Sequence, residues 1–316
     1  MTEMGLLVIG DVVTDVVALH GGPGLAGLEI GTDTAADIAL RPGGSGANTA
    51  SWAARLGADA RILTRVGSDT SEWHGAELRR SGVRPHLRVD PERPTAVVIA
   101  MVDVTGERSM LTNRGAGGHI GIDDWDEDLL DGVAHLHLSG YTLFAEPGLR
   151  LSRLALAEAA RRGVTTSVDP ASTGFLRAFG PERFVLETRA ARILIPNRDE
   201  ALFLTGETSV ERAAELLSLA YGAAAVKLGP GGALMARHGR VVSRVPGLPA
   251  EVVDSTGAGD AFAAGLLTAL LTGADDETAL AAGCRAGAEA VTVIGGRPRI
   301  LQSDLGSNQL YPLTTN

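Results

Sequence analysis

Short apolar, β-branched runs alternate with alanine- and leucine-rich stretches of helical length along most of this chain, and no other feature restricts its fold as strongly. Residues 6–13 (LLVIGDVV) have no helical period and read as a strand covered on both faces. Similar runs lie at 60–66, 135–140, 165–169, 192–196 and 223–229, and helical stretches lie between or after them at 47–56, 149–162, 210–221 and 260–271. The alternation predicts right-handed crossovers and a mainly parallel sheet with helices on both faces, a three-layer α/β/α domain. Two segments break it. Residues 12–18 run on past the first strand, and 95–103 (TAVVIAMVD) sit between the turn-forming PERP and TGER. They predict a small β-sheet lid, built from insertions at about 12–42 and 93–114, over the strand ends of one domain spanning 1–316. The tail after Ile300 is expected to be a poorly packed end.

Composition narrows the function. At about 150 residues per domain, 316 residues make two domains or one large α/β unit. The net charge of -10, with no Lys/Arg-rich tract, argues against a nonspecific grip on nucleic acid or anionic membrane. The single cysteine, Cys284, excludes an internal disulfide and fits a reducing compartment. No apolar run reaches the ~18 residues of a membrane span, and the start, MTEMGLLVIGD, lacks a basic region, so a cytoplasmic protein is expected. Glycine stands out at 41 residues, near twice the ordinary ~7%, neither periodic nor pooled in a linker.

The most informative glycines lie in residues 254–267 (DSTGAGDAFAAGLL), where a polar turn runs straight into a helix. The amides of Gly257, Ala258, Gly259 and Asp260 can then converge at a helix N-terminus, which makes an anion hole. Glycine suits it because a Cβ would block close approach or positive φ. An isolated Gly-Asp here is more often a helix cap. Beside an anion hole, Asp260 has a sharper use: accepting a hydroxyl proton while the amides stabilise a transferring phosphoryl group.

This segment resembles the C-terminal signature of the PfkB/ribokinase-like carbohydrate kinases, D-T-x-G-A-G-D, and three further segments follow the family's order. Residues 41–50 (RPGGSGANTA) resemble its N-terminal signature, 195–200 (IPNRDE) its N-x-x-E motif, and 226–234 (VKLGPGGAL) the strand and glycine turn beneath the nucleotide. The resemblance implies a ribokinase-like fold, ATP and Mg2+ as cofactors, Asp260 as catalytic base and Gly257 to Gly259 as anion hole. It places the acceptor among Asp15, Gly43, Gly44, Ser45 and Asn48. It assigns Asn197, Lys227, Gly229, Gly231, Gly232 and Thr256 to the nucleotide, and Glu200 to magnesium through water, which suits a cation that keeps much of its hydration. Asp254, with carbonyls from a later loop near 290–299, is the family's place for a monovalent cation such as K+. A purely structural aspartate reads equally well.

The chain departs from the family at several points. Val13 stands where relatives often have asparagine, Ser45 where ribokinases have lysine, and Lys227 where many have threonine; Lys227 either adds charge near the phosphates or caps its strand. After the 165–169 strand the chain reads DPASTG where the family has D-x-N-x-R, so no named substrate transfers. Arg108 and Arg114 flank the lid as candidate contacts to an acidic sugar, against the default of exposed arginines. Tyr141 and Phe144 are candidates for a wall of the sugar pocket or for plain packing. His135 and His137 share one face of a strand without a third ligand at metal spacing, and read as core residues. No GxxxxGK[ST] is present, and no GxGxxG follows the first strand. The expected activity is ATP-dependent phosphorylation of a primary hydroxyl on a small carbohydrate. A nucleoside kinase of the same family is the nearest alternative, and a noncatalytic sugar- or nucleotide-binding regulator the more distant one. The apolar lid strand TAVVIAMV suggests a homodimer through the lid.

Overall fold

The computed structural model describes residues 5–24, 27–105 and 108–299, with Arg108 described by its backbone alone. The tail after Ile300, expected to be a poorly packed end, lies outside the described residues. β1 (Gly5–Ile9) starts the chain at the centre of a nine-stranded sheet. Its burial alternates between sides: Leu6 and Val8 face one hydrophobic cluster, Leu7 and Ile9 the other, all fully buried. That two-sided burial is why the strand reads as an unbroken apolar run.

The predicted first run divides in two. After β1 the chain leaves the sheet at Gly10 to Val12, and β2 (Val13–His20) pairs antiparallel with β3 (Ala36–Gly43) in a separate sheet. α1 (Ser45–Arg55) then returns to the main sheet and feeds β4 (Asp59–Gly67). α2 (Ser71–Arg80) and β5 (Arg84–Asp90) complete one edge. β6 (Ala96–Val102) goes back to the separate sheet, parallel to β2, and β7 (Arg108–Asn113) pairs antiparallel to it, giving the order β3-β2-β6-β7. β2 and β6 overlap the two segments that broke the alternation, 12–18 and 95–103, and β3 and β7 are their antiparallel partners.

The rest of the chain builds outward from β1. β8 (Val133–Ser139), α3 (Glu146–Arg162) and β9 (Thr165–Asp169) are followed by α4 (Thr173–Phe179) and α5 (Pro181–Thr188). β10 is only Ile193–Leu194, shorter than the 192–196 run, although the Ile195 N–H still donates to Val168 O at 2.9 Å. α6 (Arg198–Thr205), α7 (Val210–Tyr221) and β11 (Ala223–Lys227) end the parallel part. β12 (Ala233–Arg237) and β13 (Arg240–Val245) add an antiparallel edge, giving β13-β12-β11-β10-β9-β8-β1-β4-β5.

α8 (Ala258–Leu271) packs against α1 on one face of the sheet, and α9 (Asp276–Ala290) packs on α8 and on the β12–β13 edge. The backbones of α8 and α9 approach closely: a Cβ at Gly265 would stand 2.6 Å from Ala282 O. α8 is buried nearly all round, from Ala261 to Thr268, which explains its apolar sequence. No helix among the described residues is long and apolar enough to cross a membrane. The carboxyl ends of the parallel strands, on both sides of the β1 switch in strand order, open into one cleft, where ligands of such sheets gather.

Candidate active site

A cavity of about 1350 Å³ runs between the strand ends and the small sheet. Its chemical centre joins the two ends of the chain. Gly44 caps α1 with φ of 100°, and a Cβ there would stand 2.5 Å from Asp11 O, so only glycine lets the chain enter the helix at this point. Ser45 and Asn48 then lie in the first turns of α1 and reach across to α8. Ser45 Oγ donates to Asp260 Oδ1 at 2.8 Å, and Asn48 Nδ2 donates to Asp260 Oδ2 at 2.9 Å. Burial nevertheless pushes the Asp260 pKa up to about 7. The two hydrogen bonds oppose that rise, Asp169 adds to it and Lys227 counters it.

Gly257, at φ 75°, turns the chain into α8 in the left-handed region. The amides of Gly259 and Asp260 belong to the first turn, where no intrahelical carbonyl reaches them. Ala258 differs from the expected set: its N–H points back to Ser255 O at 3.3 Å, a long turn contact. Gly257 packs on a later loop, since its Cβ would lie 2.5 Å from Gly296 Cα. Asp254 ties the same two segments together by accepting from Thr256 N at 2.8 Å and Gly295 N at 2.9 Å. Thr256 itself lines the cleft.

Glu200 is 2% exposed and forms a capping box with Asn197: Asn197 N–H donates to Glu200 Oε2 at 2.8 Å, and Glu200 N–H to Asn197 Oδ1 at 2.9 Å. Burial raises the Glu200 pKa, against the pull of Lys227. Lys227 ends β11 with Nζ 2.6 Å from Asp169 Oδ2, at the end of β9, and 3.3 Å from where a Gly259 Cβ would be. Desolvation works against its charge, but Asp169, Glu200 and Asp260 together outweigh it and its pKa is raised. A buried carboxylate whose ionised form is disfavoured by burial is chemically suited to a cation brought to it. Among the described residues no group of three or more His, Cys, Asp or Glu side chains is placed to hold a metal ion.

On the lid side, Asp15, Arg41, Gly44 and Arg114 line the cleft. Gly43 does not: it is buried under Asp15, and a Cβ there would meet Asp15 Oδ2 at 2.1 Å, so its part is to make room for that carboxylate rather than to touch a ligand. Burial and the neighbouring Asp11 raise the Asp15 pKa to about 6, with Arg297 opposing. The Arg114 guanidinium donates to Tyr141 O. Arg108 contributes its backbone to β7, and its side chain lies outside the described residues. Gly229 and Gly232 line the cleft, whereas Gly231 faces a separate small cavity with Arg198 and Arg244. Tyr141 reaches the cleft and Phe144 does not; instead, Phe144 stacks on Phe175, which also meets Tyr141 edge-on. His135 and His137 are buried neutral, hydrogen-bonded to the Ser167 hydroxyl, with His135 also bonded to Thr165.

Four cleft-side residues escape a reading of the sequence. Asp11 accepts from Gly46 N at 3.1 Å, Asp169 holds Lys227, Arg41 stands opposite Asp15 in the β2–β3 register, and Arg297 donates to Gly43 O at 3.2 Å. Asp11 and Asp169 carry one detectable signal, an aspartate directly at the end of a parallel strand.

Strand ends, lid and glycine turn together define a class, the ribokinase-like α/β kinases. The chain belongs to the pfkB family of carbohydrate kinases, whose pattern matches residues 5–302. It is similar to an ATP-dependent ribose-1-phosphate kinase of Halopiger xanaduensis, with 33% identity over 75% of this chain and 76% of the relative. Among solved structures, the adenosine kinase of Sinorhizobium meliloti superposes with a TM-score of 0.83 at 29% identity, covering 93% of this chain and 95% of the other. A putative ribokinase II of E. coli, solved with ATP and Mg2+, has a TM-score of 0.81 at 25% identity and covers 92% and 94%. The protein is an ATP-dependent carbohydrate kinase.

Proposed function

We propose that the protein transfers the γ-phosphoryl group of ATP to a primary hydroxyl of a small sugar or sugar-like compound beneath the lid, with Asp260 as the base. One observation carries this reading: both Asp260 oxygens are gripped by Ser45 and Asn48 from the far end of the chain, at the first helical turn after Gly257. A base with pKa near 7 suits the task, being ionised often enough to accept the hydroxyl proton and basic enough to hold it. The acceptor lies against Asp15, Gly44, Asn48 and Arg114, oriented so that its hydroxyl faces Asp260. The amides at Gly257, Gly259 and Asp260 stabilise charge on the transferring group. Lys227, held by Asp169, adds a positive charge for the phosphates, while Gly229, Gly232 and the apolar wall of Leu248, Val252 and Ala288 take the nucleotide. Asn197 and Glu200 would hold magnesium through its water shell, and the ion would supply positive charge against that of the phosphates. The lid excludes water from the site. Potassium beside Asp254, a cytoplasmic setting and a homodimer through the lid belong to the same reading.

A nucleoside acceptor is favoured by a specific feature. The lid's cleft-side face is apolar at Val17, Leu19, Ala39, Val98, Ala100 and Met110, opposite Tyr141 and Phe175, a surface better suited to a base than to bare hydroxyls. ADP formation over D-ribose, D-fructose, ribose 1-phosphate, 2-keto-3-deoxygluconate, adenosine and inosine separates the readings, and exchanging potassium for choline tests the cation. One acceptor class should be turned over by the wild type, and Asp260→Asn should keep nucleotide binding while losing at least about a thousandfold in kcat. Near-normal turnover by Asp260→Asn rejects the base, and no ADP with any acceptor favours the regulator.

A further inference from the structure

Residues 295–297 touch every part of the acceptor side. Gly295 N–H donates to Asp254, Gly296 O accepts from Trp52 Nε1 at 3.0 Å, and a Cβ at Gly296 would collide with Asn48 Nδ2 at 2.2 Å. Arg297 follows. Its Nη2 donates to Gly43 O at 3.2 Å, directly below the Asp15 carboxylate, while its Nε and Nη1 are sealed from solvent without a hydrogen-bond partner among the described residues. Burying a guanidinium with two idle donors is costly.

We propose that Arg297 is a positioning residue for the phosphoryl acceptor: buried beneath the Gly43 turn, it braces that turn against the Asp15 carboxylate, so that Asp15 can accept from the acceptor's hydroxyls. The proposal rests on the reading of Asp15 as an acceptor-binding residue. The groups around the pair support it. Asp11, at the end of β1, and Asp254, before α8, both push the Asp15 pKa up, and Arg297 is the cation that pulls it down. Arg41 is the cross-strand neighbour of Asp15 on β3. On α2, His74 faces Arg297 as a neutral ring: burial and the arginine's own charge lower its pKa to about 4, and its Nε2 bonds Thr14 Oγ1 at 2.9 Å. Glu77, also on α2, favours the charged Arg297, whose pKa desolvation lowers only to about 10, so it is a cation throughout the working range.

The sign follows directly. Removing Arg297 removes a stabiliser of the Asp15 carboxylate, so Asp15 should titrate at higher pH. Protein labelled with 13C-aspartate reads this, the Asp15 carboxyl signal being assigned by its loss in Asp15→Asn. In wild type it should titrate near 6. In Arg297→Met, or in Arg297→Gln if the methionine variant does not fold, the midpoint should rise by about one pH unit or more. Arg297→Lys should restore most of it. With the panel acceptor turned over fastest, the neutral variants should raise the acceptor KM at pH 6 at least about fivefold while the ATP KM stays within about twofold. An unmoved Asp15 midpoint in a folded neutral variant overturns the proposal and leaves the kinase reading intact. An Asp15→Asn protein with the wild-type acceptor KM overturns the reading of Asp15 and the proposal with it.

Discussion

Two opposing effects act on Asp260, and burial is the larger. Burial raises its pKa, and the Ser45 and Asn48 donors pull it back to about 7. Both donors stabilise the ionised form, so each removal should shift the carboxylate upward by about one pH unit. As the proposed base, Asp260 must be ionised to accept a proton, so the acid limb of kcat should move to higher pH in Ser45→Ala and in Asn48→Ala. Rates of both variants should approach the wild type above pH 9. A pH–rate profile from 5.5 to 9.5 checks this, and limbs that coincide with the wild type would refute the tuning. The turn of Gly257 into α8, with Asp260 in its first turn, was legible in the sequence because it is built from adjacent residues, whose spacing survives in one dimension. Asp169 and Arg297 were not. Asp169 acquires its meaning from Lys227, 58 residues away and two strands over, and Arg297 from a carbonyl 254 residues earlier. A lone aspartate or arginine carries no trace of a partner chosen by strand register.

At the scale of elements, the join between β1 and α1 sets the site. The chain crosses itself where Gly10 meets Gly46: a Cβ at Gly46 would lie 2.6 Å from Gly10 Cα and 2.9 Å from Asp11 N, backbone that cannot swing aside. Gly46→Ala should therefore push α1 away from the sheet. Overpacking of this kind costs about 1–3 kcal/mol. The displaced helix also carries Ser45 and Asn48, so kcat should fall well beyond what the lost stability explains, at least tenfold in protein still folded at the assay temperature. Thermal denaturation beside kinetics separates the two effects, and a destabilised but fully active protein would show that the α1 position is not critical. Helices and buried strands were legible here because their periods are set by burial: 210–221 is α7, and 165–169 is β9. The departure of 12–18 from the first strand was legible too, but its position was not: the apolar run continues to Val13, whereas the chain leaves the main sheet at Gly10 to Val12.

At the scale of the whole molecule, the lid has two apolar faces and one body to cover. The face bearing Val17, Val98 and Ala100 looks into the cleft. The other carries Ile38 at 62%, Leu40 at 65% and Leu111 at 60% exposed, with Ile99 at 38% between them. Alternation in a strand normally puts polar residues on the second face of such a sheet, so a second apolar face on a four-stranded sheet marks a surface meant to be covered. A second lid is the simplest cover, because a two-fold axis brings the same four side chains onto themselves and leaves no edge open. The acidic chain is no obstacle, since none of these four residues is charged. The mass in solution by light scattering should be twice that of the chain at micromolar concentration, and Leu40→Arg should halve it by burying an unpaired charge at the interface. The acceptor KM should rise with the loss of the dimer, because an unsupported lid closes less firmly, whereas the nucleotide side, built on the main sheet, should keep its ATP affinity within about twofold. A wild type that is monomeric at every concentration would leave the second face without this explanation, and a monomeric Leu40→Arg with unchanged acceptor KM would separate dimerisation from lid closure.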